Sequence, residues 1–133
     1  DAGYPISSDC ILETPYDLDK AADAFELVLG ADSLITCVFC GNDVIAAAAQ
    51  KRARQMGLSV PDDISITGFD DIAMASALSP ELTTIHVPHR QMGEMVAKGL
   101  LDAIDSNEPV VSRKIPYLIK RRESLTALTP RQQ

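Results

Sequence analysis

A chain of 133 residues has room for one domain, since compact domains most often hold about 100 to 150 residues. Its 46% hydrophobic and 23% charged residues exclude a disordered or fibrous chain, and no apolar run approaches the roughly 20 residues that span a bilayer. Twelve Lys and Arg against nineteen Asp and Glu leave a net charge of −7, which repels phosphate backbones and argues against direct contact with nucleic acid.

The first residues, DAGYPISSDC, contain neither the basic region nor the apolar stretch of a signal peptide and begin without Met, so a fragment of a longer protein is expected. Residues 9–13, DCILE, form a short apolar run expected to be a strand. After Tyr16 and Asp17, the segment LDKAADAFELVLG places Leu18, Ala21, Ala22, Phe25, Val28 and Leu29 at helical spacing, with Gly30 expected to stop the helix. LITCVFC, residues 34–40, is the continuous apolar run of a parallel strand covered on both faces. Gly41 and Asn42 turn the chain into an Ala-rich helix with Asn42 or Asp43 available as N-cap and Gly57 as its end.

A third strand is expected at 64–69, ISITGF, followed by Asp70 and Asp71 and by a short helical piece over 71–77. TTIHV, residues 83–87, gives a fourth strand. Residues 90–104 carry Met92, Met95, Val96, Gly99, Leu100 and Ala103 along one helical face, and 113–123 is a last extended segment, an edge because Pro116 removes a ladder donor. Strands alternating with helices predict an α/β fold: a parallel sheet with helices on both faces.

In such sheets ligands bind beyond the carboxyl ends of the strands. Tyr16 and Asp17, Asn42 and Asp43, and Asp70 and Asp71 all fall at that edge, offering a ring to stack on and polar groups for a small hydroxyl- or amine-bearing ligand. Asn and Asp also serve simply as helix caps, a reading that suits Asp43 and, better, Asp71. A phosphoreceiver domain would want its acidic pair after the first strand, whereas here it follows the third. Cys37 and Cys40 are three apart on a strand, so they point to opposite faces and cannot share a zinc; they are expected as buried core thiols. No metal and no cofactor is expected. Three cysteines without framework spacing imply free thiols and a cytoplasmic setting. His86 and His89 have no nucleophile beside them and receive no catalytic role. KRAR at 51–54 and KRR at 120–122 are taken as a solvated helix face and as edge-strand charge.

The ordered motifs FCGNDVIAAAA, GLSVPDDIS, GFDD and LTTI, with their spacing, resemble the effector-binding core of the lactose repressor/galactose repressor (LacI/GalR) family over about residues 9–125. That resemblance implies part of a two-lobed, type I periplasmic-binding-protein-like fold that binds a sugar or nucleobase and performs no bond chemistry. Residues 1–88 and 113–125 would belong to the second lobe, and 89–105 to a helix that packs on a first lobe lying upstream. Operator DNA would be met only through an N-terminal domain outside this chain. By position in the family pattern, Asp70 and Asn42 would contact the effector and Tyr16 would stack on it. Val87 departs from members that carry a ligand-contacting Gln. The family's homodimer would place Ala47 and Leu78 at or near the two-fold interface. An exported sugar-binding protein of the same fold is the alternative that the resemblance leaves open.

Overall fold

The computed structural model describes residues 3, 6–31, 34–107, 109 and 111–127. Among the described residues, three α-helices, α1 (Leu18–Ala31), α2 (Asp43–Gln55) and α3 (His89–Ser106), accompany four strands, β1 (Cys37–Phe39), β2 (Ser65–Asp70), β3 (Thr83–His86) and β4 (Leu118–Lys120). The strands form one sheet in the order β1-β2-β3-β4. The first three run parallel and β4 joins antiparallel to β3, pairing Ile119 with Ile85. The expected α/β architecture with a mostly parallel sheet is therefore present.

Helix α2 forms because alanine is the best helix former and both ends are capped. Asn42 Oδ1 accepts the Ile45 N–H at 2.8 Å. At the other end Gly57 adopts φ +78°, and the Leu58 N–H reaches the Ala53 carbonyl at 2.9 Å, closing a Schellman turn that a β-carbon at Gly57 would strain. The small side chains let α1 approach closely: Ala21 and Ala22 meet Ala48, while Ala46, Ala49 and Ala53 face Ile64, Ile66 and Leu82 in the main core. Arg52 ties the two helices together by ion pairs to Asp23 at 2.9 Å and Glu26 at 2.6 Å, so the KRAR cluster is more than a solvated face.

Several expectations need correction. DCILE is no strand; Ser8–Cys10 is a 3-10 turn and the residues after it join no ladder among the described residues, since a five-residue run flanked by Asp9 and Glu13 has nothing laid over it to bury. Consequently β1 is an edge strand, and Cys37 and Phe39 are exposed where cover on both faces was expected. Cys40 is buried, and Cys37 is not a core thiol. Helix α1 continues past Gly30 to Ala31. The short helical piece expected over 71–77 is present as a 3-10 helix, Ala73–Ser76.

The acidic residues also take roles different from those read as caps. Asn42 caps α2, so Asp43 is released to point inward, where it is 1% exposed and accepts the Ile72 N–H at 2.8 Å and the Thr84 hydroxyl at 2.5 Å. A buried carboxylate needs such partners. Asp71 caps nothing: the 3-10 turn that follows has Ile72 at its N-cap position and no side-chain cap. The Asp71 carboxylate instead holds Arg122 at 2.6 Å and His86 Nδ1 at 2.9 Å. Arg122 in turn donates to the Leu82 carbonyl at 2.8 Å, which makes it a structural anchor and not mere edge charge. Ser124, fully buried, completes the attachment by donating to the Ile66 carbonyl at 2.6 Å while accepting the Thr83 N–H at 2.9 Å.

Gly68 on β2 passes directly beneath Asp43: a β-carbon there would overlap the Asp43 carboxylate and stand 2.9 Å from Leu82 Cδ2. Gly68→Ala is expected to lower stability by about 1–3 kcal/mol, the usual cost of overpacking, measured as a fall in the urea midpoint at unchanged slope. A second expectation concerns pH. Loss of hydration pushes the Asp71 carboxyl up, but the hydrogen bonds and charges of Arg122 and His86 together outweigh it and leave the group below its ordinary value. Its stabilisation is therefore complete above the ordinary carboxylate range and disappears as pH falls through the lowered folded value. Asp71→Asn should be less stable than the unmodified chain at pH 7, and the gap should close on acidification below about pH 4 when thermal unfolding is followed by circular dichroism.

Candidate functional site

Parallel strands deliver their carboxyl ends to one rim, and the turns that follow β1, β2 and β3 lie there. Gly41 and Asn42 follow β1, Asp70 and Asp71 end β2, and Val87 and Pro88 follow β3 before α3 begins. A concavity of about 480 Å³ opens between the ends of β2 and β3 and the first turns of α3, lined by Asp70, Asp71, His86, Val87, His89 and Glu94 among others. A second hollow, of about 370 Å³, lies between α3 and Pro109, Val111, Ser112, Arg113 and Ile115 and is walled mainly by apolar side chains such as Met95, Val96, Leu100 and Ile115.

The corner at Asp70 is unusual in its backbone. Asp70 has φ +105° and Asp71 φ +57°, two successive non-glycine residues in the left-handed half of conformational space, at a cost of order 1–3 kcal/mol each. The surroundings enforce it. Asp70 still pairs with His86 in the β2–β3 ladder, Asp71 is clamped by Arg122 and His86, and the Ile72 N–H is held by Asp43. The turn this produces sends the two adjacent carboxylates different ways. Asp71 is consumed by its ion pairs. Asp70 faces the concavity with 31% of its side chain exposed, and among the described residues its carboxylate meets only the His89 ring, at 3.6 Å.

Of the three residues assigned to an effector from the sequence, Asp70 lines this concavity and the other two lie outside its wall. Asn42 is 8% exposed; its Oδ1 is occupied in capping Ile45, so the hydrogen-bonding group it retains for a ligand is the Nδ2 donor. Tyr16 sits in the loop before α1 and is 82% exposed. Sequence reasoning missed the partners of the acidic pair: His86, His89 and Arg122. The parallel pairing of GFDD with TTIH could have exposed the first, since the register sets Asp70 opposite His86. Arg122 carried no such signal, being 51 residues from Asp71.

Burial pushes the Cys40 thiol up to about 12, with Cys37 adding to the effect, so the C-x-x-C offers no ready thiolate. Among the described residues no group of three or more His, Cys, Asp or Glu is arranged to hold a metal ion, and no helix is long and apolar enough to cross a membrane. The concavity brings together the carboxylates of Asp70, Asp71 and Glu94, the imidazoles of His86 and His89, Arg90, Gln91 and the apolar Val87, a set of hydrogen-bonding groups that suits a small polar ligand.

Comparison with known proteins agrees with this fold. Residues 2–125 match the periplasmic binding protein-like domain family. The HTH-type transcriptional repressor PurR of Vibrio parahaemolyticus is 39% identical over 108 residues, covering 81% of this chain and 32% of the repressor. The chain thus spans about a third of the length of the curated relatives it matches. A LacI family transcriptional regulator from Enterococcus faecium, solved with bound ribose, superposes with a TM-score of 0.78 at 32% identity, over 89% of this chain and 44% of the regulator. The fold alone is matched more closely by a LacI-type protein from Bacillus cereus subsp. cytotoxis, with a TM-score of 0.89 at 24% identity over 96% of this chain and 46% of that one. The repressor of Vibrio parahaemolyticus and the protein of Enterococcus faecium are transcriptional regulators. The chain belongs to the periplasmic-binding-protein-like domain family, within the ligand-binding domains of LacI/GalR-type transcriptional regulators.

Proposed function

We propose that this chain is the effector-binding and dimerising part of a cytoplasmic transcriptional regulator, with a small ligand of the sugar or nucleobase class seated at the carboxyl ends of β1 and β2. The observation that carries the reading is the division of labour at the corner: Asp71 is spent on Arg122 and His86, whereas the Asp70 carboxylate is turned into the concavity with no hydrogen-bonding partner among the described residues. A carboxylate so placed accepts two hydrogen bonds from neighbouring hydroxyl or N–H groups, Asn42 Nδ2 donates a third, and Tyr16 supplies a ring that closes over the ligand's face. The ribose bound in the Enterococcus faecium regulator supports the sugar class.

Residues 1–88 with 113–125 act as one lobe. The exposed apolar residues of α3, Val96, Leu100, Leu101 and Ile104, pack on a first lobe contributed by the remainder of the protein. Half-buried Ala47, on the outer side of α2, and Leu78, which rests on the main core, lie at or near the two-fold axis of a homodimer, where small and apolar side chains allow close approach. Ligand binding favours one arrangement of the lobes and thereby of the dimer, which alters operator affinity through DNA-binding heads outside this chain; neither DNA nor a membrane is contacted by these residues.

Thermal-shift screening of the full-length protein against ribose, other aldoses, disaccharides and purine bases tests the ligand assignment. A ligand at 100 times its Kd should stabilise by about 2.7 kcal/mol. Asp70→Ala should weaken that ligand by about 10- to 100-fold, matching the roughly 1.5–3 kcal/mol of hydrogen bonds to a charged group, whereas Asp71→Ala should lower the melting temperature yet keep most of the affinity. Equal losses for both variants, or no shift with any compound, would count against the site. For the dimer, Ala47→Arg should convert the full-length protein to monomers in sedimentation velocity; an unchanged dimer would place the interface elsewhere.

A further inference from the structure

The two polar residues assigned to the ligand come from separate elements, Asn42 from the start of α2 and Asp70 from the end of β2, and one buried side chain spans the gap between them. Asp43, the residue after Asn42, is 1% exposed and cannot reach a ligand in the concavity. Its Oδ2 accepts the N–H of Ile72, two residues past Asp70, at 2.8 Å. Its Oδ1 accepts the Thr84 hydroxyl from β3 at 2.5 Å, and Gly68 leaves the room for it. The corner it grips is the strained one, with Asp70 at φ +105° and Asp71 at φ +57°. Helix α2, which Asp43 opens, is the helix that carries Ala47.

We infer that Asp43 is the positioning residue of the ligand site: through the Ile72 N–H it holds the Asp70 corner in its left-handed conformation and fixes the spacing between Asp70 and Asn42. The same bond makes the corner and the first turn of α2 move together, so a ligand drawing on Asp70 pulls on the helix proposed for the dimer interface. This inference rests on the reading of Asp70 and Asn42 as ligand contacts, and its test uses no ligand, so that it can fail while that reading stands.

Asp43→Asn keeps the shape of the side chain and removes its charge. Amide exchange and backbone chemical shifts of the full-length protein, followed by nuclear magnetic resonance, then separate positioning from bulk stability. The expected result is an Ile72 N–H that exchanges at least tenfold faster than in the unmodified chain, beyond the change at β2 amides, with Asp70 and Asp71 shifts leaving the left-handed range while Ile45 stays capped. An even rise in exchange across β1 to β3, with the Asp70 and Asp71 shifts unmoved, would overturn the inference and leave Asp43 a merely stabilising group. The unmodified chain supplies a reading that does not depend on the variant folding. Ile72 is 37% exposed, and its N–H should nevertheless exchange as slowly as the amides of β2; exchange at the rate of an open loop would overturn the inference as well.

Discussion

The carboxylate of Asp43 is the interaction on which the rest of the site depends. Taking a charge out of water is costly unless hydrogen bonds replace the lost hydration. Here the replacements come from two directions, the Ile72 N–H beyond β2 and the Thr84 hydroxyl on β3. Meeting that requirement joins α2, the β2 corner and β3 at a single point. It also imposes a glycine at position 68, since the strand runs immediately under the carboxylate. An alanine-rich helix that packs closely on the sheet is a consequence of the same geometry, because a bulkier inner face would lift Asp43 away from its donors.

From that point the behaviour of the adjacent acids at 70 and 71 follows. With the chain gripped at Ile72 and the β2–β3 ladder continuing to the Asp70–His86 pair, the two residues between must turn sharply, and they do so with positive φ. Asp71 swings toward Arg122 and His86 and attaches the terminal segment to the sheet. Asp70 swings toward the rim. Two identical side chains, neighbours in sequence, thus meet different surroundings, and the distinction arises from backbone direction and not from residue type.

Much of this could be read before the structure. The helices at 18–31 and 43–55 follow from the spacing of Leu18, Ala22 and Phe25 and from the Asn42 and Gly57 caps; β2 and β3 follow from ISITGF and TTIHV. These are local signals, and local signals survive. The failures share a cause in contacts distant along the chain. DCILE has strand composition, but a strand exists only where a ladder partner and a cover are supplied. Asp43 looked like a cap because capping is local, yet its true donors lie 29 and 41 residues away. Arg122 looked like surface charge because its partner Asp71 is 51 residues distant. The rim position of Asp70 was legible from the topology of parallel sheets; that the Asp71 carboxylate would be occupied by ion pairs to Arg122 and His86 was not.

The measurement that bears most directly on the account is a crystal structure of the full-length protein bound to the ligand that stabilises it best. The account predicts ligand oxygens or nitrogens within hydrogen-bond distance of the Asp70 carboxylate and Asn42 Nδ2, with the Asp71–Arg122 pair and the Asp43–Ile72 bond intact beside them. A ligand held by Asp71 instead, or one seated away from the carboxyl ends of β1 and β2, would contradict it.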